Sequence, residues 1–376
     1  MTSTTYPGVW LPGDEPGRRQ FAVLSGESGT GFPLEAGGRL DEVTVAYETW
    51  GELNRSRTNG VLVLHALTGD SHAAGPPSAG HPMTGWWDGL IGPGAAIDTD
   101  RYHVVCPNVL GGCQGTTGPA SLGPDGIPLG SRFPLITIRD QVAVEVALAD
   151  ELGIGQWACV IGGSMGGMRV LEWSVSQPER VARAVVLAVG AVASADQIAL
   201  CSLQVRAIRS DPAYQGGDYY ETSRRPVEGM SIGRGLGQFS YRTGDEFEQR
   251  FGRERQGAEQ PLKGGRYAIE SYLQHQGEKL AGRFDPNSYV ILSEAMNHHD
   301  VGRGRGGIGP ALRRIRADVT VAGIQSDRLY PLGQQQELTR LLPGRPTLSV
   351  IASDFGHDGF LLEIDQVGRI VASALD

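Results

Sequence analysis

The chain has 376 residues, of which 40% are hydrophobic and 20% are charged, so it can bury a large core and carry an insertion. Its formal net charge of −9 argues against binding to nucleic acid or to an anionic membrane surface, because either would need a basic face. The first 20 residues lack the pattern of a secretory leader, and no apolar run approaches the roughly 20 residues that cross a bilayer. We therefore expect a cytoplasmic protein.

Short apolar runs that end in Gly, Asp or His predict the strands of the fold. They lie at residues 43–50, 60–69, 102–109, 157–164, 181–190, 317–327 and 347–358. Such nearly continuous runs are typical of strands buried on both faces of a mostly parallel sheet, and most gaps between them can hold a crossover helix. An amphipathic segment at 360–375 predicts a terminal helix. Together these runs predict an α/β fold.

The interval from 191 to 315 has a different pattern. A loop of that length without structure is improbable in a compact domain, and apolar residues spaced three and four apart at 194–211 and 245–256 predict helices. We therefore predict a catalytic core made of residues 1–190 and 316–376, with a mainly helical lid inserted at 191–315.

Residues 162–166 (GGSMG) match the pattern G-x-S-x-G around Ser164. The segment before them resembles a strand, and the segment after them is compatible with a helix. A nucleophile elbow requires this context, because small neighbours permit the strained turn that presents the serine hydroxyl. A glycine-rich turn without a catalytic role is the alternative, since motifs of this length recur by chance.

A nucleophilic serine needs a histidine base and a carboxylate that orients it. In α/β-hydrolases the order along the chain is serine, acid, histidine. His357 is the one histidine after residue 299, and Asp327 closes the preceding predicted strand. A loop histidine and a helix-capping aspartate are the alternatives. Because all three residue types occur in order at strand ends, we predict the triad Ser164, Asp327 and His357.

Acyl transfer also needs N–H donors for the oxyanion. They normally come from the residue after the nucleophile and from the loop after the third strand. Met165 occupies the first position, and the loop LHALTGD at 64–70 follows the strand that would supply the second. In the other interpretation this loop only turns the chain.

Six sequence segments carry a resemblance to a known family. They are HALTGDSH (65–72), NVLGGCQGTTGPAS (108–121), FPLITIRDQV (133–142), GGSMGGM (162–168), SDRLYP (326–331) and FGHDGFL (355–361). With them the chain resembles the homoserine O-acetyltransferase family of the α/β-hydrolase superfamily over nearly its whole length. The resemblance implies a mostly parallel sheet flanked by helices, with an inserted helical lid.

The resemblance also implies an activity. Family members move acetyl from acetyl-CoA to the side-chain hydroxyl of L-homoserine, a step of methionine biosynthesis, by a ping-pong acyl-serine mechanism. No cofactor would be bound permanently, because acetyl-CoA is a substrate. The partners would be these two small molecules and a second copy of the chain, since the family is typically homodimeric through its lid helices.

The family's site residues can be matched to positions of this chain. The resemblance makes Ser164 the nucleophile, His357 the general base and acid, and Asp327 its partner. Leu67 becomes the second oxyanion donor. Arg234 would bind the homoserine carboxylate, Asp358 the ammonium group, and Tyr241 would lie in the same pocket. Without the resemblance, Arg234 is a solvated arginine and Asp358 a turn residue. Arg169 departs from the apolar residues common there in the family, and we expect no catalytic role for it.

Other outcomes of the same chemistry remain open. Attack of water on an acyl-serine would make the protein a serine esterase, and related transferases use succinyl-CoA or accept serine. The segment GGCQGTTGPAS (111–121) resembles the corresponding sequence of the acetyl-transferring members, so we expect acetyl transfer to homoserine.

Several other signals lack the context they need. GRGRGGIG (302–309) does not follow a clear strand, so it does not predict a dinucleotide site. His298, His299 and Asp300 lack a recognisable ligand spacing, and we expect no metal. Cys106, Cys113, Cys159 and Cys201 show no C-x-x-C spacing, and we expect reduced thiols.

Overall fold

A computed structural model describes residues 8–26 and 29–376, so residues 1–7 and 27–28 of the predicted core lie outside the described part. Within these ranges, eight strands form the central sheet in the order β1-β2-β4-β3-β5-β6-β7-β8. They are β1 (Gln20–Leu24), β2 (Val43–Trp50), β3 (Gly60–Leu64), β4 (His103–Pro107), β5 (Cys159–Gly163), β6 (Arg183–Leu187), β7 (Asp318–Ile324) and β8 (Leu348–Ile351).

The sheet is antiparallel at one edge and parallel elsewhere. β2 runs antiparallel to both β1 and β4, whereas all neighbouring pairs from β4 across to β8 are parallel. The predicted mostly parallel sheet is thus confirmed. Because parallel strands end at the same edge of a sheet, the loops after β3, β5, β7 and β8 meet there.

The apolar strands serve two cores. Leu62 and Leu64 of β3 belong to a hydrophobic cluster on one face, and Val61 and Val63 belong to a second cluster on the other. Every residue of β3 is buried, as a strand covered on both faces requires. The unbroken apolar run therefore reflects two packed faces rather than one.

Helices cover both faces of the sheet and fill the insertion. In the described residues they are α1 (Ile138–Glu151), α2 (Met165–Ser176), α3 (Ala195–Ser210), α4 (Val227–Tyr241), α5 (Gly244–Arg250), α6 (Ala268–Ala281), α7 (Pro286–Asn297), α8 (Ile308–Leu312), α9 (Leu332–Leu341), α10 (Gly359–Leu362) and α11 (Ile364–Leu375). Thr137 and Asp140 form a capping box at the start of α1, and Ser194 and Gln197 form one at α3. Each box satisfies N–H groups that a helix leaves unpaired. None of these helices is long and apolar enough to cross a membrane.

Helices α3 to α8 lie between β6 and β7, in the interval predicted to be the lid. Gly229 and Gly233 let α4 approach α3 closely, since a Cβ atom on Gly229 would lie 2.7 Å from the carbonyl oxygen of Ala207. Gly277 of α6 lies against Ser231 of α4 in the same way. Gly229 and Gly233 are therefore packing positions within a helix.

Most predicted runs extend beyond the strands they contain, and the run at 347–358 holds a strand only over Leu348–Ile351. The run at 60–69 contains a strand only to Leu64, because the rest forms the following loop. The segment 245–256 is helical only to Arg250, and the terminal segment breaks at Glu363 into α10 and α11. The edge strand β1 was not predicted. All four cysteines are buried and unpaired, as expected for reduced thiols.

Candidate active site

Ser164 sits on a strained turn between β5 and α2. Its φ of 57° and ψ of −125° lie outside the usual regions for a residue with a side chain. A Cβ atom on Gly162 would lie 2.6 Å from the carbonyl carbon of Gly166, and one on Gly166 would collide with the carbonyl of Leu64. The glycines are therefore needed for the turn to pack against β3, as in a nucleophile elbow.

The three predicted triad residues meet at the carboxyl edge of the sheet. The Ser164 hydroxyl donates to Nε2 of His357 at 2.9 Å, and Nδ1 of the same ring donates to Oδ2 of Asp327 at 2.7 Å. All three residues are buried, with exposed fractions of 4 to 6%. This is the geometry in which an imidazole can take the serine proton while a carboxylate holds its tautomer.

Asp327 is itself held in place by the backbone. Its Oδ1 atom accepts hydrogen bonds from the N–H groups of Leu329 at 2.8 Å and Tyr330 at 2.9 Å. The other oxygen is left for His357. The Asp327 carboxylate thus combines the local turn role that its sequence context allowed with contact to the histidine.

The two predicted oxyanion donors lie close to the serine. Met165 is the first residue of α2, and Leu67 lines the same cavity as Ser164. Among the described residues, no protein acceptor is bonded to the backbone N–H of either residue. Both N–H groups are therefore free to donate hydrogen bonds to a substrate oxygen.

The lid contributes Arg234 and Tyr241 from α4. The Arg234 guanidinium lies over the Tyr241 ring, 5.2 Å from its centroid, and donates to Oε1 of Gln238 at 2.8 Å. The Tyr241 ring in turn lies 5.9 Å from the His357 ring. Tyr241 lines the cavity at Ser164. Helix α4 thereby places an arginine one aromatic ring away from His357.

Asp358 follows His357 directly and is partly buried. Burial raises the pKa of its carboxyl, while the nearby guanidinium groups of Arg234 and Arg242 oppose the rise. Arg234 and Asp358 therefore interact electrostatically, and they present opposite charges close to the triad.

Three residues of the site were missed by the sequence predictions. Arg242 donates to both oxygens of Glu246 at 2.7 and 3.1 Å and approaches Oδ2 of Asp358 at 3.4 Å. Tyr330 and Phe360 pack on the His357 ring, with centroids 5.0 and 5.4 Å away. The aromatic contacts fix the plane of the imidazole. Tyr330 and Phe360 lie within the segments SDRLYP and FGHDGFL, which were noted only for their resemblance.

One buried cluster away from the triad has metal-ligating residue types. Ligand atoms of Glu48, His72 and His81 all lie within 4.8 Å of one another. The two rings, however, stack at 4.1 Å and 13°, so their in-plane lone pairs cannot converge on one ion. The backbone N–H of Arg18 already donates to Nε2 of His81 at 3.2 Å. The geometry favours a hydrogen-bonded network over a metal site.

The comparisons with known proteins agree with the fold. A family model described as the alpha/beta hydrolase fold matches residues 59–364, and the chain belongs to this class. The solved structure of esterase E22 matches with a TM-score of 0.87 and 27% identity, covering 96% of this chain and 100% of that one.

Closer relatives narrow the class to one family. The homoserine O-acetyltransferase of Thermobifida fusca (strain YX) is 58% identical over 369 residues, which cover 98% of this chain and 96% of that protein. A solved homoserine O-acetyltransferase from Bacillus anthracis matches with a TM-score of 0.87 and 28% identity, covering 96% of this chain and 98% of that one. The chain belongs to the homoserine O-acetyltransferase family.

Proposed function

We propose that the protein transfers acetyl from acetyl-CoA to the side-chain hydroxyl of L-homoserine through an acetyl-Ser164 intermediate, as a step of methionine biosynthesis. The observation that carries the proposal is the hydrogen-bonded series Ser164–His357–Asp327 in a chain 58% identical to a relative named for this reaction. Substrates of this kind and a biosynthetic role are in keeping with a cytoplasmic enzyme.

In the first half-reaction Ser164 Oγ attacks the thioester carbonyl carbon while His357 Nε2 takes the hydroxyl proton. The carbonyl oxygen becomes an oxyanion that receives hydrogen bonds from the backbone N–H groups of Met165 and Leu67. When the intermediate collapses, the C–S bond breaks and His357 returns the proton to the departing sulfur. Free CoA thiol leaves, and acetyl-Ser164 remains.

In the second half-reaction the homoserine hydroxyl attacks the acetyl-serine carbonyl, and His357 takes the proton of that hydroxyl. A second oxyanion forms at the same N–H groups. Its collapse breaks the bond to Ser164 Oγ, which regains a proton from His357, and O-acetylhomoserine leaves. Asp327 stabilises the imidazolium in both halves without taking the proton itself.

Arg234 and Asp358 are suited to the two charged ends of the acceptor. A guanidinium can bind a carboxylate through two parallel charge-assisted hydrogen bonds. A carboxylate matches an ammonium group in charge, and the two side chains lie near enough to influence one another electrostatically. We assign Arg234 to the homoserine carboxylate, Asp358 to its ammonium group, and Tyr241 to the pocket wall between Arg234 and His357.

Ester hydrolysis is the second candidate function, and the likeness to esterase E22 is the observation that favours it. Both reactions share the acylation step and differ in what attacks acetyl-Ser164. A transferase has to exclude water and position the acceptor. The lid helix that carries Arg234 and Tyr241 supplies groups that could position an amino acid.

A homodimer formed through the lid is part of the proposal. The exposed apolar side chains Ile198, Leu203, Val227, Ile232 and Phe239 lie on α3 and α4. A mass measurement by light scattering should give twice the chain mass, and Ile232→Glu with Phe239→Glu should shift it to one chain mass. An unshifted dimer in the double variant would move the interface elsewhere.

Release of CoA thiol tests the function. The protein is given acetyl-CoA or succinyl-CoA with L-homoserine, L-serine or no acceptor, and Ser164→Ala supplies the background. Fast Ser164-dependent release with acetyl-CoA and homoserine, and slow release without an acceptor, is the expected result. Preference for succinyl-CoA or serine would overturn the substrates, and acceptor-independent release would identify a hydrolase.

A further inference from the structure

Arg169 is a buried residue that connects α2, the helix after Ser164, to the loop at 64–70. This loop carries Leu67, the second predicted oxyanion donor, and is called the oxyanion loop below. Arg169 is 0% exposed and lies in the second turn of α2, after Ser164. One terminal nitrogen donates to Oε1 of Glu145 at 2.6 Å, and the other donates to the backbone carbonyl of His65 at 2.5 Å. Arg169 therefore holds the loop that begins where β3 ends.

The His65 side chain holds the next peptide of that loop. The backbone N–H of Val109 donates to Nε2 of His65 at 3.0 Å, so the ring proton is on Nδ1. Nδ1 donates to the carbonyl of Ala66 at 2.7 Å. This carbonyl and the N–H of Leu67 belong to one planar trans peptide and point in opposite directions. A bond to the Ala66 oxygen therefore orients the Leu67 N–H.

The charge state of His65 supports this arrangement. Burial and the neighbouring Arg169 charge lower the pKa of His65 to about 3, so the ring is neutral at any pH at which the protein would work. A neutral ring keeps one donor and one acceptor, and both are in use. The bonds to Ala66 and Val109 therefore persist as pH changes.

Glu145 of α1 completes the network. Its second oxygen accepts from Nε1 of Trp173 at 2.7 Å, so both carboxylate oxygens have partners. Burial raises the pKa of Glu145, and the Arg169 charge opposes that rise. A buried ion pair is weak evidence of stabilisation, because desolvation offsets the attraction. What this pair supplies is a fixed position for the Arg169 fork.

We propose that Arg169 and His65 are positioning residues that orient the Ala66–Leu67 peptide so that its N–H points at the substrate oxyanion. The inference rests on acyl transfer at Ser164 and deepens that function. The sequence alone suggested no role for Arg169, whose contact to His65 spans 104 residues of chain. An oxyanion donor acts on the transition state, so its misplacement lowers kcat and leaves homoserine binding largely unchanged.

The same helix offers a matched control. Glu172 of α2 is buried and accepts from both terminal nitrogens of Arg305 at 2.6 and 2.8 Å, and neither residue contacts the oxyanion loop. Arg305→Met removes a partly buried arginine whose two terminal nitrogens both bond to an α2 side chain, so like Arg169→Met it removes a two-bond arginine contact from α2. A loss of activity caused by general damage to α2 would appear in both variants.

The experiment measures the acylation rate in the pre-steady state with acetyl-CoA and with p-nitrophenyl acetate, together with kcat and KM for homoserine. Arg169→Met should lower the acylation rate with both donors by about 10- to 100-fold, with KM for homoserine changed less than about twofold. Arg305→Met should acylate within about twofold of the wild type. If Arg169→Met does not fold, the pair Glu145→Gln with Arg169→Met avoids leaving a lone buried charge and takes its place.

The outcomes separate the inference from the function on which it rests. If the wild-type protein is active and Arg169→Met is acylated as fast as Arg305→Met, the positioning role is overturned and the transferase proposal stands. If acetyl-CoA does not acylate the protein but p-nitrophenyl acetate acylates Ser164, the transferase proposal is overturned. The acylation rates of the Arg169 and Arg305 variants with p-nitrophenyl acetate then decide the positioning role. Absence of Ser164-dependent acylation with either donor would overturn both.

Discussion

The backbone of Tyr241 contacts Gly356, the residue before His357. A Cβ atom on Gly356 would lie 2.5 Å from the Tyr241 carbonyl oxygen, and the φ of Gly356 is 61°. The last turn of lid helix α4 therefore lies directly against the loop that carries His357. Helix α4 and the His357 loop pack against each other at this glycine, so a larger side chain there would displace one or both of them.

Gly356→Ala should lower kcat more than its effect on stability explains. The methyl group must displace either the end of α4 or the histidine loop, and a shift of about 1 Å in a catalytic group can cost about 100-fold in rate. We expect kcat to fall about 10- to 100-fold, measured by steady-state thiol release.

Gly344→Ala provides the control for this prediction. Gly344 also has a positive φ, of 73°, but a Cβ atom added to it would meet no other atom within 4 Å. Its alanine variant carries the backbone strain of about 1–2 kcal/mol without a collision. We expect a lower urea midpoint and an unchanged kcat, and an equal loss of kcat in both variants would refute the link between lid and histidine.

Asp327→Asn should lower kcat less than Ser164→Ala does. The asparagine oxygen can still accept from the N–H groups of Leu329 and Tyr330, but its amide donates where the carboxylate accepted from His357. Comparable changes in serine hydrolases lower kcat by about 10⁴, against about 10⁶ for loss of the nucleophile. Burst kinetics of acyl-enzyme formation check the order, and equal losses would contradict the assignment of Asp327 as an orienting partner.

Ser164, Asp327 and His357 could be placed from sequence because each follows an apolar strand of the central sheet. Apolar runs located β5, β7 and β8, and parallel strands bring their carboxyl ends to one edge. Strand order and residue type then left few choices for base and acid. The oxyanion loop after β3 followed from the same argument.

The lid could not be predicted in this detail. Helix α4 contains four glycines, and glycine lowers helix propensity by about 1 kcal/mol each, so its sequence suggests a loop. It is helical because α3 packs closely on Gly229 and Gly233, while α6 packs on the same helix through its own Gly277. Arg242 reaches Asp358 across 116 residues of chain, a contact that no local pattern encodes. Arg234 and Asp358 could be named only through the family resemblance.

Arg234→Ala should impair the acceptor and spare the donor. In the proposed role, loss of the guanidinium removes charge-assisted hydrogen bonds to the homoserine carboxylate, each contributing about 1.5–3 kcal/mol. We expect KM for homoserine to rise at least about tenfold, while the rate of acylation by acetyl-CoA stays within about twofold. Arg209→Ala, which removes an exposed lid arginine paired with Glu294, serves as the control. A lost acylation burst in Arg234→Ala would contradict this division of roles.

Homoserine binding should weaken at acid pH through Asp358. Burial raises the pKa of this carboxyl, so it becomes neutral at a higher pH than an exposed aspartate and then loses its attraction for the ammonium group. KM for homoserine should therefore rise as pH falls. Asp358→Asn should show a high KM that changes little with pH over the same range, and a pH profile identical to that of the wild type would exclude Asp358 as the ammonium partner.

Buried neutral histidines should make the fold sensitive to acid. Burial lowers the pKa of His299 to about 4, and its Nε2 donates to the carbonyl of Gly190 at 3.1 Å. An unfolded histidine titrates near 6.5. Between those values the unfolded chain binds the proton and the folded chain does not, so stability is present above about pH 6.5 and is lost as pH falls toward 4.

Replacing His299 isolates its share of that acid sensitivity. Glutamine can donate to Gly190 without titrating, so His299→Gln should lose less stability than the wild type between pH 7 and pH 5, by on the order of 1–2 kcal/mol. His65 and His81, whose pKa values are lowered to about 3 and about 4 by burial, keep the remaining slope in the same direction. Urea unfolding at the two pH values measures the difference, with His275→Gln on the exposed face of α6 as control. An unchanged slope in His299→Gln would mean that this histidine does not gain a proton on unfolding.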